Sequence, residues 1–179
     1  MRSVWCCMLM FFAVSVSAQT QSPYVGQAGR DIKALSPQEV ADYLNGKGMG
    51  LARAAELNGY PGPAHVLELV DQLGLTVEQR TQTEALFQHM RARAVTLGTA
   101  LIEAERRLDH LFASRTVTAT LLEEVLARLG QLQSQLRQVH LEAHLAQAAV
   151  LTPQQAAKYH ELRGYAAHGQ HGGHKHIPH

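Results

Sequence analysis

Five of the chain's 11 histidines crowd its final stretch, "HGQHGGHKHIPH", as His168, His171, His174, His176 and His179 among glycines. Neutral imidazoles on such a segment can wrap Zn²⁺, Ni²⁺ or Cu²⁺. The stretch is low in complexity, is expected to be disordered alone, and is not the unbroken run of a purification tag. A solvated tail whose histidines bind metal only in the test tube is the alternative. A second group sits upstream. His140 and His144 are four residues apart, so on a helix they leave from one side and can chelate a single ion. A chain reversal near residues 115–116 would set residue 91 across from His140 and residue 87 across from His144, with His89 between them. A three-histidine bridge is then open to the geometry, with Met90 or Glu84 as a further neighbour. So is a set of histidines that merely flanks an apolar stripe.

The same residues argue against an enzyme. In a zinc-protease helix the glutamate follows the first histidine directly, whereas "HLEAH" puts Glu142 two positions on, about 200° around the helix from His140. Ser22, Ser36, Ser114 and Ser134 have no evident base and third partner nearby. The glycines of "NGKGMG" and "NGYPGP" form no nucleotide fingerprint, because no strand precedes them and no P-loop Lys-Ser or Lys-Thr pair follows.

Long helices must position the candidate ligands. Leu122, Val125, Leu129, Leu132, Leu136, Val139, Ala143, Ala146 and Val150 are spaced in alternating threes and fours, one apolar stripe along one helix. Leu86, Met90, Ala94, Leu97, Leu101, Ala104, Leu108 and Leu111 form a second stripe. Only Ser114-Arg115-Thr116-Val117 intervenes, which predicts an antiparallel helical hairpin. A helix over 77–113 would be about 55 Å long, so the molecule should be elongated, with shorter helices or a second copy covering the stripes. One short helix should run from Ser36 to about Asn45 and another from Pro63 to Gly74. Gly98 and Gly130 interrupt the long helices, which close packing or a bend would explain.

Three helix starts share a pattern. "LTVEQ" (75–79), "LTPQQ" (151–155) and "LSPQE" (35–39) each read as a capping box, in which Thr or Ser caps the amide three residues on and Gln or Glu reaches back. Their leading leucines lack a consistent staple partner, so they should enter the core.

The N-terminus reads as a secretory signal over 1–18: Arg2, an apolar run from Val4 to Val14, then Val16-Ser17-Ala18. Cys6 and Cys7 lie inside it, so the chain from Gln19 holds no cysteine and neither disulfides nor thiolate sites. Loss of Arg2 takes 16 basic residues to 15, against 15 acidic ones, a balance that does not suggest a nucleic-acid binder. The organisation expected is a signal (1–18), an N-terminal extension (19–35), one helical domain (36–165) and the tail (166–179), with no membrane span once the signal is cleaved.

Two L-T-x-x-Q boxes in a secreted, cysteine-free helical hairpin, the second just after the long helix pair, resemble the Spy/CpxP or LTXXQ-motif family, whose relatives include ZraP-like and CnrX-like metal-binding proteins. The resemblance spans about residues 36–165. It implies an all-α periplasmic protein, a curved homodimer, acting as an ATP-independent chaperone for unfolded or envelope proteins, or alternatively as a heavy-metal sensor or buffer with an inner-membrane signalling partner. No cofactor is required on this reading, and Zn²⁺, Ni²⁺ or Cu²⁺ is a modulating input. Arg91, Arg93, Arg106, Arg107, Arg128 and Arg137 then either line a client-binding face or form an ordinary solvated one.

Overall fold

The computed structural model describes residues 22–165. Every regular element among them is a helix: α1 (Pro37–Leu44), α2 (Arg53–Glu56), α3 (Pro63–Glu68), α4 (Val70–Leu73), α5 (Val77–Ala113), α6 (Ala119–Val150) and α7 (Pro153–Leu162). No helix among the described residues is long and apolar enough to cross a membrane. The expected hairpin is α5 against α6. The reversal between them is closed by Arg115 in the left-handed conformation (φ 57), with the Thr116 amide donating to the Leu111 carbonyl and the Arg115 amide to that of Phe112.

All three capping boxes form, at Ser36 with Glu39, Thr76 with Gln79 and Thr152 with Gln155. Leu35 and Leu151 are buried and Leu75 is half-buried against the cluster of Val66, Leu73, Leu151 and Tyr159, so the leading leucines do enter the core. Two further clusters run along the hairpin. One joins Met90 and Ala94 of α5 to Leu136, Val139 and Ala143 of α6; the other joins Leu101 and Leu111 to Val125, Leu129 and Leu132. These are the residues of the two periodic stripes, buried because each helix turns its apolar side to the other.

The shorter helices cover one side of this pair. Tyr43 at the end of α1 reaches both clusters, and a methyl group added at Gly98 would lie 2.7 Å from the Tyr43 carbonyl oxygen. Gly98 therefore admits close packing of α1 on α5. Gly130 has no such neighbour within 4 Å. Residues assigned to an N-terminal extension also pack here, since Ile32 and Leu35 are buried against Ile102.

One expectation is corrected and one short element is added. The single helix from Pro63 to Gly74 is broken at Leu69 (φ −114, ψ 19), whose amide bonds Val66 three residues back, so the chain bends between α3 and α4. Within the stretch between the two glycine-rich loops, Arg53–Glu56 forms a short helix, α2, that the periodicity did not signal.

Candidate functional site

Val139, His140, Ala143, His144 and Gln147 are consecutive buried positions on one side of α6, as a helical period requires. His140 is 3% exposed and His144 9%. The loops that close over them carry α2 and the corner Asn58–Pro63, whose Pro61 and Pro63 are fully buried. Between these loops and the hairpin lies a cleft of about 990 Å³, whose walls include Gly48, Glu56, Gly62, Met90, His140, His144 and Tyr165.

His144 is oriented from behind. Its Nδ1 lies 2.7 Å from the Tyr60 carbonyl oxygen. A carbonyl only accepts, so Nδ1 carries the proton, and in the neutral ring the lone pair is on Nε2. This is the arrangement by which metal-binding histidines are commonly fixed, with one nitrogen donating to a backbone carbonyl and the other free to ligate. Nε2 faces Gly62, where an added Cβ would sit 2.8 Å away. Any side chain at residue 62 would occupy the space against that nitrogen.

Glu56 stands beside the ring, with Oε2 3.6 Å from His144 Nδ1. Its other oxygen, Oε1, accepts from the Tyr159 hydroxyl at 2.5 Å and the Tyr165 hydroxyl at 3.1 Å, and Arg163 Nε lies 3.8 Å away. Burial, and then the bond to and charge of Glu56, push the Tyr159 hydroxyl far above the usual tyrosine range, so it serves as a fixed donor. At His140, burial first and the neighbouring His144 second hold the pKa below the ordinary histidine value. Its ring is therefore neutral at pH 7, the form that ligates metal. His140 Nε2 and Glu56 Oε2 are both buried with no hydrogen-bond partner among the described residues.

The structure brings together two of the three hairpin histidines. His89 is exposed and neighbours Glu142 instead, on the side of the hairpin where Glu142 pairs with Arg93 at 2.9 Å. The three-histidine bridge is thus not assembled, and among the described residues no group of three or more His, Cys, Asp or Glu side chains is placed to hold one metal ion. Residue 89 fails because its position on α5 turns it outward while Met90, next to it, turns in. Met90 does line the cleft, whereas Glu84 pairs with Arg80. His168, His171, His174, His176 and His179 lie outside the described residues. Glu56, Tyr159 and Tyr165 were not legible as site residues. The helix-forming run Arg53-Ala54-Ala55-Glu56 before Asn58-Gly59 signals a short helix, but nothing in its spacing points to His144.

The opposite side of the hairpin holds a shallow groove of about 470 Å³ between α5 and α6, lined by Ala92, Arg93, Thr96 and Leu97 and by Gln135, Gln138 and Val139. Of the arginines expected to form a basic face, Arg93 borders this groove. Arg91 turns to the Asn45 carbonyl, Arg106 pairs with Glu103 and Asp31, Arg107 lies 4.0 Å from Glu124, and Arg128 bonds Gln131.

Together these features define a class: an all-α hairpin with a loop-covered histidine cleft on one side and an open groove on the other. No protein-family model, curated protein or solved structure matches the chain.

Proposed function

We propose that the chain is a non-enzymatic periplasmic protein of Spy/CpxP type, an ATP-independent chaperone that holds unfolded or envelope proteins along its hairpin, with divalent metal as a modulating input. The observation that carries this reading is the one-sided cover of the hairpin. Helices α1, α2 and α3 pack on one side, while among the described residues the groove of Leu97, Val139 and Ala92 beside Arg93 stays open, and Phe112, Leu126 and Leu145 are each at least half exposed on the long helices. Apolar surface rimmed by polar groups is the usual mark of a binding face for other chains. A homodimer would cover part of it. The test is light scattering of a chemically denatured client diluted into the secreted protein, once with chelator and once with Zn²⁺. Suppressed aggregation in either condition is expected, and unchanged aggregation in both would overturn the chaperone reading.

A second reading rests on a different observation, the fixed ring of His144 beside buried His140 and Glu56. On that reading the protein senses or buffers a heavy metal and signals to an inner-membrane partner. Stoichiometric Zn²⁺, Ni²⁺ or Cu²⁺ binding weakened by His140→Ala supports it, and parent-like binding by that variant and by a tail deletion together would exclude it.

A further inference from the structure

From Gln19 onward the chain has no cysteine and two methionines, Met49 and Met90. Both line the cleft that holds His140 and His144. Met90 is 7% exposed and packs from α5 against Val139 and Ala143 of α6, the sequence neighbours of the two histidines. Met49 belongs to the loop that follows α1. That loop lies along the site: a Cβ added at Gly46 would sit 3.0 Å from the Arg91 carbonyl oxygen, one residue beyond Met90, and one added at Gly48 would sit 3.7 Å from His140 Nδ1. Leu51 then packs on the Met90 cluster. Between these contacts Met49 adopts φ 46, a left-handed conformation that residues with a Cβ resist. Backbone held in such a region by its surroundings is a feature of ligand clamps.

A thioether is a soft, neutral ligand that suits monovalent copper, whereas protein zinc is met by thiolate, imidazole and carboxylate. The two imidazoles are ready to join it. His144 has its lone pair on Nε2, because Nδ1 gives its proton to the Tyr60 carbonyl. His140 is 3% exposed, and its Nε2 has no hydrogen-bond partner among the described residues. Charge favours the same ion. Four basic residues of the cleft wall, Lys47, Arg53, Arg91 and Arg163, outnumber its three acidic ones, a balance that penalises a doubly charged ion more than a singly charged one.

We propose that the cleft is a Cu⁺ site, in which Met49 and Met90 give thioether sulfur, and His140 and His144 imidazole nitrogen, to one monovalent copper ion. The ligands that complete the histidine pair are then sulfur, not a third imidazole from His89. This inference rests on the reading of the cleft as a heavy-metal site and narrows it to one soft ion, and the experiment separates the two.

Under anaerobic conditions with ascorbate, the secreted chain competes with a chromophoric chelator for Cu⁺, and in a second series with a zinc chelator for Zn²⁺. Met49→Leu and Met90→Leu keep side-chain volume and remove the sulfur. Each should weaken Cu⁺ by at least the roughly tenfold that loss of a ligand's supporting partner costs, and leave Zn²⁺ unmoved. His140→Gln should weaken Cu⁺ as well. Met90 is a core residue, so Met49→Leu, exposed in its loop, is the variant that reads the site without touching the hairpin. Binding of Cu⁺ by Met49→Leu as tight as by the parent would overturn the two-thioether site. With methyl-¹³C methionine the secreted chain gives two methionine methyl signals, and Cu⁺ should shift both. Cu⁺ that is retained while neither signal moves would place the ion on histidines alone, against the proposal. Parent protein that holds Zn²⁺ and not Cu⁺ would overturn the copper site and leave the heavy-metal reading standing, and retention of neither ion would overturn both.

Discussion

The side-chain amides of Gln79 and Gln155 pair head to tail. Gln79 Nε2 donates to Gln155 Oε1 at 2.8 Å and Gln155 Nε2 donates back to Gln79 Oε1 at 3.0 Å. Each oxygen also accepts from its own box, from the Thr76 and Thr152 amides. Gln79 further reaches the Val150 carbonyl at the end of α6. The repeated string thus has a reason beyond capping: the two boxes start α5 and α7 side by side and clasp the open end of the hairpin. Gln79→Ala or Gln155→Ala should lower stability by about 2 kcal/mol, since each removes a cap and leaves partly buried groups unpaired. In a urea-denaturation double-mutant cycle the pair should show coupling of about 1 kcal/mol; additive losses would mean the amides do not interact.

Tyr159 is fully buried and gives its hydroxyl to Glu56. Tyr159→Phe keeps the packing but removes a donor from a carboxylate, a loss of about 1.5–3 kcal/mol for a bond to a charged group. Thermal unfolding reads the loss. It should shrink when Glu56→Gln is already present, because the charge that strengthened the bond is gone.

The same substitution should have opposite signs at two helix glycines. At Gly98 an alanine Cβ would sit 2.7 Å from the Tyr43 oxygen, so overpacking should cost about 1–3 kcal/mol. At Gly130 it meets nothing within 4 Å, so the gain in helix propensity, about 1 kcal/mol, should appear in full. Urea midpoints moving the same way in both variants would contradict the packing of α1 on α5.

Arg115 turns the hairpin in a left-handed conformation that residues with a Cβ resist. Arg115→Gly relieves that strain while adding some unfolded-state entropy. A net stabilisation of about 0.5–1 kcal/mol is expected by chemical denaturation, with no change in the unfolding slope.

Acid should loosen the start of α1. The Ser36 amide and then its hydroxyl donate to Glu39, at 2.8 and 2.7 Å, and hold its pKa below the ordinary 4.5. A carboxyl with a depressed folded pKa binds more protons unfolded, so its contribution is complete above 4.5 and is lost as pH falls through the folded value. Glu39→Gln should flatten this part of the acid limb in stability measured against pH. An unchanged limb would show that the box is not formed in solution.

The long helices, their ends and the hairpin were legible in the chain, because they follow from local rules. Apolar residues spaced by threes and fours allow only one stripe, capping boxes mark starts within a residue, and a connection as short as the five residues between α5 and α6 forces a reversal. The leucines ahead of the boxes could be assigned to the core by elimination of local partners. That His140 and His144 share a side of α6 also follows from spacing alone.

What surrounds those histidines was decided by tertiary structure. Register across the hairpin brings Thr83 and Gln147 into contact as the turn position requires, but which side of α5 each residue takes depends on rotation, and rotation puts Met90 inward and His89 out. The partners that orient His144 come from residue 60, through its carbonyl, and from residue 56, both far away in the chain and both in segments without periodic pattern. Loops of that kind are placed by the surfaces they dock on: Gly62 against an imidazole, Tyr43 against Gly98. Local sequence determined where helices begin and which side is apolar. Only the packed chain decided which polar atoms meet inside, because a buried hydrogen bond is chosen by what remains unpaired once the apolar surfaces have closed.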